Sequence, residues 1–283
     1  MKLLKLEYKK IVGNKSFWVF TLLFVVLLPL LVIFVPVMAG DEIEGVQFYP
    51  LIPRNSEVTW YAVTIVSSWF TFFLLNFVLI YHVTNEYTYR TVRQNVIDGL
   101  TRWNYIKGKV LLMLAISVLA TIYVFLVGII GGLYFSSVPQ LEPNIIQKTF
   151  GVAVAETDGF GSLWDGVENV MRFFTQTTAT FSFAMLIAFL VRKGILAVLI
   201  FYSAFIIELI IGLILKGRDL GGIYDYFPLQ TIGESLPLPD FKQLIMGITS
   251  PAEISWLNII IVGGYTVLFL FLIKYLFNKR DIS

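Results

Sequence analysis

The sequence predicts an all-α membrane protein of six transmembrane helices, with both termini cytoplasmic. Three observations predict it. The 283 residues are 57% hydrophobic and only 14% charged, about half the charge of a soluble domain. One soluble core of this length cannot hide so much apolar surface. Six stretches are nearly free of Asp, Glu, Lys and Arg over the ~20 residues that cross a ~30 Å hydrocarbon core. Finally, Lys and Arg gather in alternate loops, the asymmetry of an inner membrane face.

Residues 1–16 come first. Leu4, Tyr8, Ile11 and Val12 recur at helical spacing among Lys2, Lys5, Lys9 and Lys10. This pattern suits an amphipathic helix lying at the membrane interface; a plain basic leader would share its charge. Gly13-Asn14 then breaks the helix. Spans follow at about 17–38, 60–83, 110–135, 173–191, 194–215 and 254–273. The first apolar run exceeds the roughly 7–15 residues of a signal peptide, so it reads as a span. Arg192-Lys193 alone joins the fourth and fifth spans, which predicts a tight helical hairpin. The segments 39–58, 136–172 and 216–253 fall outside and are too short for a second domain. The chain therefore reads as one transmembrane domain. The inner segments hold 15 basic and 4 acidic residues, the outer ones 6 and 14. That bias sets the orientation in a cytoplasmic membrane.

Composition also excludes chemistry. With no cysteine, disulfides, Fe–S clusters and thiolate zinc sites drop out. His82 is the single histidine, so a multi-histidine metal centre is impossible and no metal site is expected. There is no P-loop, no G-x-G-x-x-G and no H-E-x-x-H, the motifs that would bind nucleotide or zinc. No span carries an aspartate pair, and no nucleophile motif accompanies His82. The reading is a non-enzyme that binds no cofactor and no nucleic acid.

The loop 85–109 is the most informative stretch. Val92, Val96 and Leu100 sit at i, i+4 and i+8, which predicts a short amphipathic helix. Asp98-Gly99 ends it with turn chemistry, and Thr101 is placed to cap the next helix. Such a helix suits docking to a soluble partner, and an ordinary charged loop would fit the same residues.

The pattern Glu86-x3-Arg90-Thr91-x-Arg93-x5-Gly99-x2-Arg102-x4-Lys107-x-Lys109 resembles the loop after the second span in ABC-2 type transporter permeases. The leader Glu7-Tyr8-Lys9-Lys10 and the tail Phe277-x-Lys279-Arg280-Asp281 are similar to that family's ends. The resemblance implies that the loop is a coupling helix seated in an ATP-binding subunit. Glu86, Arg90, Thr91, Arg93, Gln94, Gly99 and Arg102 would make that contact. It further implies export, two copies of an ATP-binding cassette subunit carrying ATP and Mg, and a second permease copy as homodimer or heterodimer. It adds a re-entrant segment within 224–250.

Residues of a substrate path would come from polar groups inside spans. Glu208 lies about 14 residues into the fifth span, and an intramembrane carboxylate is a functional candidate by default. Thr175, Thr178 and Ser182 share a face of the fourth span, and Asn76 sits in the second. Such groups equally serve helix–helix packing. A mechanical role in envelope work is the alternative to export. A secondary carrier is disfavoured, because only one span carries an acidic or basic charge.

Overall fold

A computed structural model of the chain describes residues 2–34, 42–43, 46–47, 56–89, 91–97, 100–136, 163–218, 221–224, 226–235 and 256–279. The described chain is helical apart from one short antiparallel strand pair, β1 (Glu42–Ile43) with β2 (Val46–Gln47), in which Glu42 faces Gln47. The helices are α1 (Lys2–Val12), α2 (Lys15–Pro29), α3 (Ser56–Phe70), α4 (Asn76–Thr88), α5 (Thr91–Ile97), α6 (Arg102–Ser136), α7 (Leu163–Val191), α8 (Gly194–Lys216), α9 (Gly221–Tyr224), α10 (Pro228–Ser235) and α11 (Trp256–Lys279). Two π-helical turns interrupt the pattern, Leu30–Phe34 after α2 and Thr71–Leu75 between α3 and α4.

Six helices are long and apolar enough to cross a membrane, at Lys15–Ile33, Val63–Thr88, Arg102–Tyr134, Gly166–Val191, Gly194–Leu215 and Leu257–Lys279. The chain is a multi-pass membrane protein. Most of these helices outrun the charge-free stretches that define spans in the sequence. The third begins at Arg102 and the sixth continues to Lys279, because long basic side chains keep a charged head in water while their stems cover apolar surface. The fourth starts early at Leu163 and carries an i,i+4 pair, Arg172 to Glu168 at 3.6 Å. The expected end of the first span, 35–38, lies outside the described residues.

The second and fourth spans are the centre of the bundle. About 61% and 72% of their apolar windows are buried, against 11–33% for the other four. Aromatic rings fill the contacts: Phe72 packs on Phe201, Tyr202 and Phe205, and Phe183 on Phe269. The freed backbone groups at the two irregular turns are satisfied by polar side chains, from a neighbouring helix at the first and from both its own span and a neighbour at the second. Pro29 has no N–H, so the Val25 carbonyl lacks its helical donor. The Tyr123 hydroxyl, on the third span, donates to it at 2.5 Å. In the second span the Asn76 amide donates to the carbonyls of Thr71 and Phe72 at 3.2 and 3.4 Å, and the Tyr202 hydroxyl to that of Phe73 at 2.9 Å. Carbonyls freed by Pro29 and by the π turn of the second span are thus paired within the apolar spans, as they must be.

Helix boundaries follow local chemistry. Asn14 caps α2 by accepting from the Ser16 amide at 3.1 Å, and Thr101 caps α6 by accepting from the Asn104 amide at 3.2 Å. Val191 and Gly194 bound the hairpin between α7 and α8, with Arg192 in the left-handed region at φ 59°. A side chain on Gly194 would press on Thr84. At this end of the bundle the C-terminal helix α11 meets the start of α6. Arg102 donates to the Asn278 carbonyl at 3.0 Å, and Tyr105 stacks on Phe277 with centroids 5.3 Å apart.

At the other end the chain doubles back. The Gln230 amide, in the first turn of α10, donates to Glu208 Oε1 at 2.7 Å. Glu208 lies eight residues before the end of α8, about 12 Å of helix rise. The ring of Tyr224 fills the space where a side chain on Gly212 would stand.

Candidate functional site

The most concentrated chemistry lies where α1 meets the ends of the second and third spans. Each of three helices supplies polar groups one turn apart, which places them on one face: Glu7 and Lys10 on α1, His82 and Glu86 on α4, Tyr105 and Lys109 on α6. Glu7 and Lys109 are only 3% and 1% exposed. The Lys109 ammonium lies 2.5 Å from Glu7 Oε2, 3.0 Å from Glu86 Oε1 and 2.9 Å from His82 Nε2. Lys10 reaches the same two carboxylates, at 3.3 Å to Glu7 and 2.9 Å to Glu86. The Tyr105 hydroxyl donates to Glu86 Oε2 at 2.7 Å.

Two carboxylates therefore face two ammoniums, and the cluster is neutral before His82 is counted. Burial alone would raise the Glu7 carboxyl. The His82 hydrogen bond and the charges of Lys109 and Lys10 outweigh it and bring the group from 4.5 down to about 2. His82 Nε2 stands 3.1 Å from Glu7 Oε2 as well as beside Lys109. One ring nitrogen can donate to the carboxylate or accept from the ammonium, so its tautomer decides which partner it serves.

Glu7, His82 and Glu86 offer one ligand atom each within 4.8 Å of one another, a spacing a divalent cation could bridge. The Lys109 ammonium sits among those three atoms and holds the place of that cation. The donor set fits a tethered ammonium, with charge already balanced, rather than an added metal.

The local fold explains the close approach. Gly108 lets α1 lie against α6, since a Cβ there would stand 3.3 Å from the Glu7 side chain. Ile11 packs with Val78 and Leu112, and Leu4, Val12, Phe17 and Phe20 surround them. The apolar face of α1 is therefore covered by protein. Tyr8, which the spacing placed on that face, is 56% exposed, and Glu7 takes its position.

Of the loop residues that resemble a coupling helix, Glu86 is buried in the cluster and Arg102 is tied to Asn278. The Thr91 hydroxyl donates to the Glu86 carbonyl at 3.1 Å. Gln94 is exposed on α5, which forms where the periodicity of Val92 placed a helix. Arg90, Gly99 and the Arg93 side chain lie outside the described residues.

Of the path candidates, Glu208 lines a partly open cavity of about 200 Å³ between the second, fourth and fifth spans and α10. On the fourth span the lining comes from Gln176, Thr177 and Thr180. The hydroxyls of Thr175, Thr178 and Ser182 return to carbonyls of their own helix, and Asn76 serves the π turn.

Sequence reasoning did not single out Glu7, Lys10, Tyr105 and Lys109 as site residues, and it treated His82 only as a lone histidine without a metal or nucleophile partner. A signal was present. Glu7 is the one acid of the leader and lies between Leu4 and Ile11 on the apolar face; a charge there asks for a buried partner. No protein-family model matches the chain, and no curated protein matches it.

Proposed function

We propose that the chain is the membrane subunit of an ABC-type exporter, driven by a separate ATP-binding subunit. One observation supports this above the others. The buried cluster ties α1 to the ends of the second and third spans, and α5, with Val92 buried and Gln94 and Ile97 exposed, sits on the segment between those two spans. A force applied to α5 reaches the second span, one of the two central spans, directly and α1 through Glu86. A short cytosolic helix bound by a moving partner needs such a junction, because packed elements transmit displacement as units.

In this reading the α1 end is cytoplasmic and carries the basic excess. The segment holding α10 dips back into the membrane from outside, with Glu208 capping its helix. A second copy completes the export path, and the host membrane is the cytoplasmic one. Arg90, Arg93 and Gln94 contact the ATPase, while Glu86 and Arg102 hold the junction behind them.

The test is purification from the native host in mild detergent, followed by mass spectrometry. An ATP-binding cassette subunit in about equal amount, lost with Arg90→Glu, supports the reading. A stable preparation with no nucleotide-binding partner removes it.

A further inference from the structure

We infer that the cavity between the second, fourth and fifth spans and α10 is a binding site for a small organic ammonium ion. Its volume of about 200 Å³ exceeds the ~150 Å³ that takes up benzene, so it holds one ring with a small charged substituent. Three aromatic rings, Phe72, Phe205 and Tyr224, line it. Among the described lining residues Glu208 is the only charged side chain.

These features select one charge. A carboxylate with no basic neighbour repels an anion in a low-dielectric site. It attracts a cation, and aromatic faces attract it further once water is gone. The carboxylate is already oriented, because Oε1 accepts from the Gln230 amide at 2.7 Å. No ordering of that side chain is then required on binding.

A second observation points to an occupant. Thr71 is 2% exposed and lines the cavity, yet its hydroxyl has no hydrogen-bond partner among the described residues. A buried hydroxyl left unpaired is costly, and a ligand N–H would satisfy it. Thr71 also opens the π turn, a local irregularity frequent at functional sites. Ser68, whose hydroxyl donates to Gln176 Oε1 at 2.8 Å across two helices, keeps one wall polar. A site of this kind holds an amphipathic guest, with its ring on the apolar wall and its charge at Glu208. Binding here does not depend on the exporter reading, since it requires no ATPase.

The experiment uses the full chain in lipid nanodiscs, with empty nanodiscs as baseline. The probe is radiolabelled N,N-dimethylbenzylammonium, the amine protonated at neutral pH and carrying one N–H. Its comparator is isobutylbenzene, the same shape with a C–H in place of the charged N–H. The expected result is saturable binding of the cation, with the neutral isostere weaker by roughly ten-fold or more. Glu208→Gln keeps the hydrogen-bond acceptor that caps α10 and should lose that preference, with an unchanged melting temperature as the check on folding. Equal binding of cation and isostere by the wild type overturns the inference, as does no binding of the cation. Both readings stand without the variant. A folded Glu208→Gln protein that keeps the cation preference overturns it too.

Discussion

Glu7 and Lys109 are the residues on which the α1 junction turns. Each is buried against the other and against Glu86. Removing one of them unbalances the buried cluster by one charge and costs up to about 3–5 kcal/mol, whereas removing both keeps the balance and costs far less. Glu7→Gln and Lys109→Met should each lower thermal stability in detergent, and the double variant should recover most of the loss. Additive losses would mean that the two side chains do not act as a pair. The low Glu7 carboxyl sets a pH window. A group held from 4.5 down to about 2 gives stability that is complete above its unfolded value and is lost as pH falls through the folded one. A spin label at Tyr8, on the exposed face of α1, should therefore keep constant mobility over roughly pH 5–8. It should loosen only between pH 4.5 and about 2. Loosening near neutrality would assign the junction to another group. The sequence could not display this cluster as a unit. Glu7 stands 75 positions from His82 and 102 from Lys109, and each alone looks like an ordinary charge near a membrane face.

At the scale of elements, the helices were legible because span helices carry their signal locally, in apolar runs and caps. Thr101 and the Arg192-Lys193 hairpin are examples. What was hidden is the repair of irregular turns across helices. Pro29 frees the Val25 carbonyl, and Tyr123 satisfies it from about a hundred residues away. Tyr123→Phe should cost about 1–3 kcal/mol by orphaning that carbonyl. The cost should vanish in a Pro29→Ala background, where the helix supplies its own donor. Thermal unfolding of the four proteins checks this, and an undiminished cost in the double variant would contradict the pairing. The α8–α9 contact makes a second case. Gly212→Ala would drive a methyl into the Tyr224 ring, while Gly263 and Gly264 face open space. Overpacking at Gly212 should cost about 1–3 kcal/mol. Alanine at Gly263 or Gly264 should be neutral or stabilising by up to about 1 kcal/mol.

The described molecule is a bundle with a charged, internally braced end and, toward the other end, α10 packed against the fourth, fifth and sixth spans. Composition and charge asymmetry made six spans and one basic end readable from the sequence, because a bilayer imposes both. Which spans lie at the centre was not readable, since lipid and protein interior select the same apolar residues. The absence of native cysteine makes sidedness easy to measure. Single cysteines at Gln94, Lys193 and Lys279 should all react with an impermeant maleimide from one side of sealed vesicles, and one at Ser235 from the other or not at all. A split among the first three would break the bundle as described.

In the proposed function an ATPase works through the braced end. ATP hydrolysis that co-purifies with the chain from its native membrane, wild type beside Glu7→Gln, tests it most directly. The expected result is hydrolysis in the wild-type preparation, and about ten-fold less coupling in Glu7→Gln at unchanged partner content. Absence of hydrolysis from a stable wild-type preparation, or identical activity once α1 is shown to be detached, would contradict it.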